Sequence, residues 1–339
     1  MLQALRPAAL PVALIVVTTA IGSTLSRSGQ LDVTTGLVQM CIVIGLYAFI
    51  GITGVFSFGH IGFAAVGAYV AGVLAVPLAS KELLYAELPS ALAGVELDPL
   101  LAVFAGGLAA ACIALLLAPA FGRLAGLSAA LATFAMLVIV NVVARNYEAV
   151  TRGTKGMLGV PRETTLWVAS GWAIAFVVLV AVIQASKFGL QLRAAREDEV
   201  AASSMGVRVE RLRGAALVFS ALLVGVAGGV YGQLLASFNP DVFYLDLTFL
   251  TLAMLIVGGV NSLGGAVLGT VVLMFASQWL RDLEASLDRP GLTEVCFALL
   301  MIGILALRPS GLTGGKELSF GRLSRLRSLR SSKPAARAP

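Results

Sequence analysis

The sequence predicts an all-α membrane protein, a polytopic bundle of transmembrane helices. Hydrophobic residues make up 58% of its 339 residues and charged residues only 12%, with a mean hydropathy of +0.94. A soluble domain carries about 25% charged residues, so this chain lacks the charge to cover a soluble surface of its size. Apolar stretches of about 20 residues, the length of helix that crosses a bilayer, recur along the chain.

These stretches predict about ten membrane spans, and Glu294 interrupts the last of them. The spans run over 8–25, 35–54, 61–79, 99–121, 124–144, 165–185, 214–236, 242–258, 263–280 and 292–307. A cleaved signal peptide is the alternative for the first, because Arg6 precedes its apolar run. We therefore expect a transmembrane domain over residues 1–314 and a basic, partly disordered tail over 315–339.

Two stretches without Asp, Glu, Lys or Arg, 33–80 and 247–280, are too long for a single crossing at about 1.5 Å per residue. Glycine clusters divide both of them: Gly51, Gly54 and Gly59 in the first, and Gly258, Gly259, Gly264 and Gly265 in the second. The clusters predict broken or re-entrant helices, which protein or a water-filled cavity must surround at membrane depth. Close helix packing through small residues is the alternative.

The basic residues predict the orientation of the bundle. With ten spans and both termini in the cytoplasm, sixteen of the 24 Lys and Arg residues fall on the cytoplasmic side. This bias follows the positive-inside rule and places the polar segment 187–213 in the cytoplasm. The basic tail would contact lipid headgroups. Nucleic-acid binding is disfavoured, because the positive charges lie in short separate segments rather than on one folded face.

The segment 187–213 predicts a short helix from about Glu197 to Met205. Acidic residues at its start suit the positive end of a helix dipole, and Gly206 supplies the left-handed residue that commonly ends a helix. Ala201, Ala202 and Met205 can share one face at helical spacing. A solvated surface loop is the alternative, but a small apolar face suits insertion into a groove on a partner.

Five motifs, in this order along the chain, carry a family resemblance. They are GVFSFGHIGFAAVGAY at 54–69, NYEAVTRGTKGMLGVP at 146–161, GLQLRAAREDEVAASSMGV at 189–207, the glycine-rich run at 240–269 and RPSGL at 308–312. Over residues 33–314 the chain resembles the permease subunits of branched-chain amino-acid-type ABC importers, and among them the LivM-like half. One departure is Arg152, which stands where the family usually has glycine.

The resemblance implies a permease that is not itself an enzyme and that sits in the bacterial inner (plasma) membrane. ATP and Mg would be bound by two separate cytoplasmic ATPase subunits, and this chain carries no Gly-x-x-x-x-Gly-Lys-Ser/Thr loop for phosphate. The other implied partners are a second, LivH-like permease in a heterodimer and an extracytoplasmic solute-binding protein. The residues implied to dock on the ATPase are Arg196, Glu197, Asp198, Glu199, Ala201, Ala202, Met205 and Gly206.

Polar residues inside the membrane usually face the bundle interior, which makes several of them candidates for the substrate pathway. These candidates are His60, Asn141, Thr248, Thr251 and Asn261. Structural hydrogen bonds are the alternative for each, and threonines commonly bond to their own helix. The resemblance also implies an external loop around Thr151, Gly153 and Gly156. Branched-chain amino acids are the first expectation for the substrate, and urea, amides and aromatic acids are the alternatives.

Rival functional classes fit the sequence less well. An ion-coupled secondary transporter normally carries ionisable residues within its spans, and here the spans almost lack Asp and Glu. An intramembrane enzyme would need a nucleophile and a base, which no motif supplies. A structural protein would not need the docking segment. A metal site is not expected, since the chain has one histidine and three cysteines without CxxC spacing.

Overall fold

The computed structural model describes residues 6–85, 87–287, 295, 299, 303 and 311–314. Within these residues the regular structure is helical, apart from one isolated bridge between Met157 and Phe238. The helices are α1 (Arg6–Ser23), α2 (Arg27–Thr53), α3 (His60–Ala75), α4 (Leu78–Leu84), α5 (Ser90–Ala93), α6 (Pro99–Phe121), α7 (Gly126–Asn146), α8 (Glu148–Thr151), α9 (Leu166–Ala185), α10 (Lys187–Glu197), α11 (Glu199–Ser204), α12 (Val209–Leu235), α13 (Leu245–Gly258) and α14 (Leu263–Leu287), with 3-10 turns at Gly153–Lys155 and Pro240–Phe243.

The described part of the chain contains seven helices long and apolar enough to cross a membrane, or eight if the bent pair α3 and α4 forms one span. The apolar part of α1, Ala8–Ser23, is shorter. The predicted count of ten is therefore not confirmed. The tenth predicted span, 292–307, falls outside the described residues except at three positions, and the predicted tail 315–339 falls wholly outside them.

The predicted span 61–79 is not one straight helix. α3 ends at Ala75, and the chain turns by 109° before α4 begins at Leu78. Pro77 lies in this break and Val76 before it is extended, with φ −62° and ψ 128°. Proline lacks an N–H group and pushes its preceding residue out of the helical region, so the bend follows from the sequence at this point.

Both glycine clusters separate helices. α2 ends at Thr53, where Gly54 adopts a left-handed φ of 75°, and α3 begins only at His60. α13 ends at Gly258, and Gly259 with φ 116° leads into the turn before α14. Close packing accompanies the second break, since a methyl group at Gly258 would collide with the backbone of Gly265. At this second cluster the glycines therefore both break the helix and allow close packing of the backbones.

The core of the bundle is built around α2 and α12. Nearly every side chain of α2 from Val33 onward is buried, because α9, α12, α13 and α14 surround it. α12 packs closely on α3 and α6 through small residues. A methyl group at Gly67 of α3 would meet the backbone of Gly225 on α12, and one at Gly106 of α6 would meet the backbone of Gly67. Small residues that let helix backbones approach are a general device of membrane bundles.

Candidate functional site

The polar segment 187–213 folds as two short helices and the start of a third. α11, with Asp198 as N-cap and Met205 as C-cap, confirms the predicted short helix from about Glu197 to Met205, although Glu197 itself ends a separate helix, α10. Asp198 is the reason, because its backbone is extended and its carboxylate accepts a 2.9 Å hydrogen bond from the N–H of Ala201. An aspartate cap starts a new helix at that residue. Gly206 follows α11 with φ 83°, as predicted.

The predicted apolar face of this segment is divided between two sides of α11. Ala202 is 5% exposed and packs with Ala195 and Val209 in a small cluster beneath the helix. Ala201 is exposed, and Met205 is 86% exposed. Val200 is 77% exposed on α11 as well. The prediction that Ala201, Ala202 and Met205 share a face was therefore wrong, and the surface open to a partner carries Val200 and Met205.

Arg213 fixes α11 to the first turns of α12. Its two terminal nitrogens donate to the two carboxylate oxygens of Glu199, at 3.0 and 2.8 Å. Arg213 is 8% exposed, whereas the Glu199 side chain is 49% exposed. A bidentate arginine–carboxylate pair fixes orientation as well as distance. The position of α11 therefore depends on a long spanning helix of the bundle.

Arg196 ties the end of α10 to both glycine breaks. Its Nη1 donates to the carbonyl oxygen of Gly51 at 2.6 Å, and its Nη2 donates to Oδ1 of Asn261. The stem of Arg196 covers Gly54, where a Cβ atom would lie 2.7 Å from the arginine Cγ. Asn261, predicted as a pathway residue, is thus an exposed residue in contact with the docking segment.

An open cavity of about 470 Å³ lies beside these contacts. Its walls come from the segment after α2, the start of α7, the α10–α11 segment and the turn after α13. They are lined by Thr53, Gly54, Val55, Phe56, Ala125, Gly126, Ala195, Arg196, Glu199, Arg213, Val260 and Asn261. Elements far apart in the sequence therefore meet at one end of the bundle, around the polar segment.

Residues 311–314 brace the second glycine break. The backbone N–H of Leu312 donates to the carbonyl of Val257 at 2.8 Å, and that of Thr313 donates to Gly258 at 3.3 Å. The Thr313 hydroxyl also donates to Gly258 at 2.9 Å. The last carbonyls of a helix lack partners within it, so these bonds satisfy the end of α13. The RPSGL motif therefore ends against the turn that contains Asn261.

Three of the predicted pathway residues are buried and take part in local hydrogen bonds. His60 is 1% exposed, with Nδ1 2.7 Å from the Ser57 hydroxyl, and its ring packs between Phe49 and Phe63. Thr248 donates to the carbonyl of Tyr244 at 2.7 Å. Thr251 donates to Leu247 at 2.8 Å and to Thr248 at 3.2 Å. Both threonines thus bond to backbone carbonyls at the start of their own helix, and their pathway role stays a prediction.

Asn141 belongs to a network at the opposite end of the bundle. Its Nδ2 donates to the carbonyl of Pro240 at 3.0 Å, and its Oδ1 accepts from Nε of Arg145 at 2.9 Å. Arg145 also pairs with Asp241. The end of α7 is therefore fixed to the 3-10 turn Pro240–Phe243, and Asn141 lies in an interhelical contact rather than on an open surface.

The predicted external loop is a compact turn at this same end. The Thr151 hydroxyl donates to the carbonyls of Ala144 and Tyr147 at 2.6 and 2.8 Å. Gly153 and Gly156 have positive φ, at 55° and 76°. Next to them, the backbones of Met157 and Phe238 exchange two hydrogen bonds. The loop is therefore joined to the segment after α12.

Arg152 and Tyr85 hold the loop from its other side. Arg152 has φ 60°, the left-handed region that favours glycine. Its guanidinium lies 5.6 Å from the centre of the Tyr85 ring. The Tyr85 hydroxyl donates to the carbonyl of Leu158 at 2.8 Å and accepts from its N–H at 3.1 Å. Burial raises the pKa of Tyr85, so the hydroxyl keeps the proton it donates.

Comparison with known proteins gives the family. A family model described as branched-chain amino acid transport system / permease component matches residues 33–305. The chain belongs to this permease family. It is 25% identical to the high-affinity branched-chain amino acid transport system permease protein LivM of Escherichia coli strain K12, over 89% of this chain and 73% of that protein. It is 26% identical to the LivH protein of Salmonella typhimurium, over 84% of this chain and 94% of that protein. No solved structure matches the permease.

Sequence reasoning missed several polar residues of the permease that the fold brings together. Arg213, Arg145 and Asp241 all form ion pairs, and none of them is singled out in the sequence analysis. Asp241 directly follows Pro240, the first residue of the 240–269 motif, and this position could have pointed to its pair with Arg145. No comparable signal joins Arg213 to Glu199, since they lie fourteen positions apart with a glycine turn between them.

Proposed function

We propose that the permease is the LivM-like membrane-spanning subunit of an ATP-driven ABC importer. Its substrates would be branched-chain amino acids or related small polar or amphipathic solutes. The observation that carries the coupling part of this proposal is the α10–α11 segment. It presents exposed Val200 and Met205, while Arg196 and Arg213 hold it to the bundle from behind. A firmly held helix with an exposed apolar surface suits docking on a soluble partner.

The partner assignments follow from the same proposal. Two cytoplasmic ATPase subunits would bind ATP and Mg and receive the α10–α11 segment. A LivH-like permease would complete the membrane part as a heterodimer, and an extracytoplasmic solute-binding protein would deliver the substrate. Relatives named LivM and LivH both match this chain at similar identity, which suits a pair of related permeases.

The proposed topology has about ten spans, with both termini on the cytoplasmic side of the bacterial inner membrane. The elements around the docking segment support it. The breaks after α2 and α13 and the start of α7 line one cavity with α10 and α11. The Arg145–Asp241 pair and the loop at Thr151 would then face the exterior.

The proposed mechanism is a rigid-body movement. ATP-driven closure of the ATPase pair would displace α10 and α11, and the bundle would change between outward-facing and inward-facing states. His60, Asn141, Thr248 and Thr251 remain candidates for contact with the moving substrate. Asn261 would act closer to the docking segment than to the substrate, because it accepts a hydrogen bond from Arg196.

The test is reconstitution of the permease with its second permease, ATPases and binding protein in liposomes, followed by uptake of labelled leucine. We expect uptake that needs ATP and the binding protein and that stops when the ATPases carry an inactivating substitution. An ionophore that collapses ion gradients should leave the uptake unchanged. Uptake that persists without the ATPases and follows an ion gradient would instead establish a secondary transporter.

A further inference from the structure

Arg196 occupies a position unlike that of the other docking residues. It is the second-to-last residue of α10, and its side chain turns away from the exposed Val200 and Met205 surface and into the bundle. Its guanidinium bonds to Gly51 and Asn261, which lie 145 and 65 positions away in the sequence. A residue that only contacted the ATPase would not need both of these partners.

The two partners of Arg196 lie at helix ends rather than in helix interiors. α2 ends at Thr53 and the Gly54 N–H bonds to the carbonyl of Ile50, which leaves the Gly51 carbonyl open to a partner outside the helix. Asn261 lies in the turn between α13 and α14, just after Gly259. Helix ends with glycines at positive φ are the places where a chain can change direction without disturbing helix interiors.

The two arginines of the segment connect it to different parts of the bundle. Arg213 joins α11 to α12 through Glu199, whereas Arg196 joins α10 to the ends of α2 and α13. The guanidinium is a planar group whose nitrogens point in fixed directions, so Arg196 sets the distance between Gly51 and Asn261. A displacement of α10 would therefore move both breaks together.

We propose that Arg196 is the positioning residue through which movement of the docking segment reaches the two glycine breaks. This inference rests on the proposed function of the chain as an ATP-driven permease. Arg196 carries the displacement from α10 to the carbonyl end of α2 and to the α13–α14 turn, while Arg213 carries it to α12. Loss of the Arg196 contacts separates ATP hydrolysis from transport without removing the surface on which the ATPase docks.

The test measures transported substrate per ATP hydrolysed in the complete reconstituted importer. Arg196→Gln removes the charge-assisted bonds, and we expect it to lower this ratio about tenfold, while ATP hydrolysis stimulated by the loaded binding protein stays within about twofold of wild type. Arg196→Lys keeps the charge but not the planar fork, so the ratio should fall about threefold or more. The matched control is Arg211→Gln, an exposed arginine at the start of α12, which should leave the ratio unchanged.

A second variant tests the contact itself. Asn261→Leu should also lower the ratio, and the double variant with Arg196→Gln should be no worse than Arg196→Gln alone, because the two residues act as one unit. Thermal unfolding of each purified complex separates loss of coupling from loss of folding. Independent, additive effects of the two substitutions would overturn the inference.

The controls distinguish failure of the proposed importer function from failure of the proposed role of Arg196. If the wild-type complex transports nothing with ATP, the proposed function fails. If the wild type transports and Arg196→Lys and Arg196→Gln keep the wild-type ratio, only the role of Arg196 fails. A purely structural role would lower unfolding temperature, hydrolysis and transport in parallel, and that result would also refute the inference.

Discussion

The crossing of α3 and α12 at Gly67 gives a quantitative test of the fold. A Cβ atom at Gly67 would meet the carbonyl oxygen of Gly225 and lie 2.7 Å from its Cα, whereas ordinary contacts of this kind span 3.4–4 Å. Both are backbone atoms, so the two helices would have to separate by about 1 Å or more to restore an ordinary contact. We expect Gly67→Ala to lower the free energy of unfolding by about 1–3 kcal/mol, the usual cost of overpacking a close-packed interior.

The matched control is Gly171, which lies on the exposed side of α9 with open space around a Cβ atom. Alanine forms helices better than glycine, so Gly171→Ala should raise stability by about 0.5–1 kcal/mol. The assay is denaturant unfolding of both variants in the same detergent, with circular dichroism as the measure of folded protein. The reasoning is refuted if Gly67→Ala is as stable as the wild type, or if both substitutions shift stability in the same direction.

Three further predictions concern the docking segment and the opposite loop. Arg213→Gln should lower the free energy of unfolding by about 2 kcal/mol, because it removes a bidentate pair in which the arginine is buried and the carboxylate is half-exposed. Glu199→Gln should cost a similar amount, and additive effects in the double variant would argue against the pair. Ala202→Glu should lower the free energy of unfolding by about 1–3 kcal/mol or more, because it forces a charged side chain into the apolar cluster beneath α11. The control Ala201→Glu, at an exposed position, should stay within about 0.5 kcal/mol of wild type in the same unfolding assay. Tyr85→Phe removes both hydrogen bonds to Leu158 and should lower the local stability of the loop by about 1–2 kcal/mol. Limited proteolysis within residues 147–165 should then become faster, and unchanged cleavage would show that the hydroxyl does not hold the loop.

Hydropathy predicted the helices well because burial in a bilayer demands a fixed length of apolar residues. The prediction failed at Pro77, where an apolar stretch of the right length contains a sharp bend. Hydropathy averages over such a stretch and does not register one residue that cannot continue a helix. The glycine clusters were better signals, because glycine at Gly54 and Gly259 marks a conformation that other residues adopt at a cost.

The sequence predicted the place of the docking segment and its short helix before Gly206, but not the preceding helix α10 or the contacts of the segment. Its polarity set it apart from the apolar spans, yet Asp198 divides it into two helices where the acidic run suggested a single start. Ala202 faces inward because Ala195 and Val209, on the neighbouring helices, meet it there. The bond from Arg196 to Gly51 joins residues 145 positions apart. Periodicity describes one helix at a time and carries no information on such contacts.

The enclosure of α2 has a consequence for how the permease is made. This helix leaves the ribosome among the first segments, yet its neighbours α12, α13 and α14 begin 156, 192 and 210 residues after it ends. The bond between Gln184 and the hydroxyl of Tyr47 spans 137 residues in the same way. Until those helices insert, the faces of α2 that they cover have lipid or the insertion machinery for neighbours. The helix at the centre of the finished bundle is thus one of the first to be made and one of the last to be enclosed.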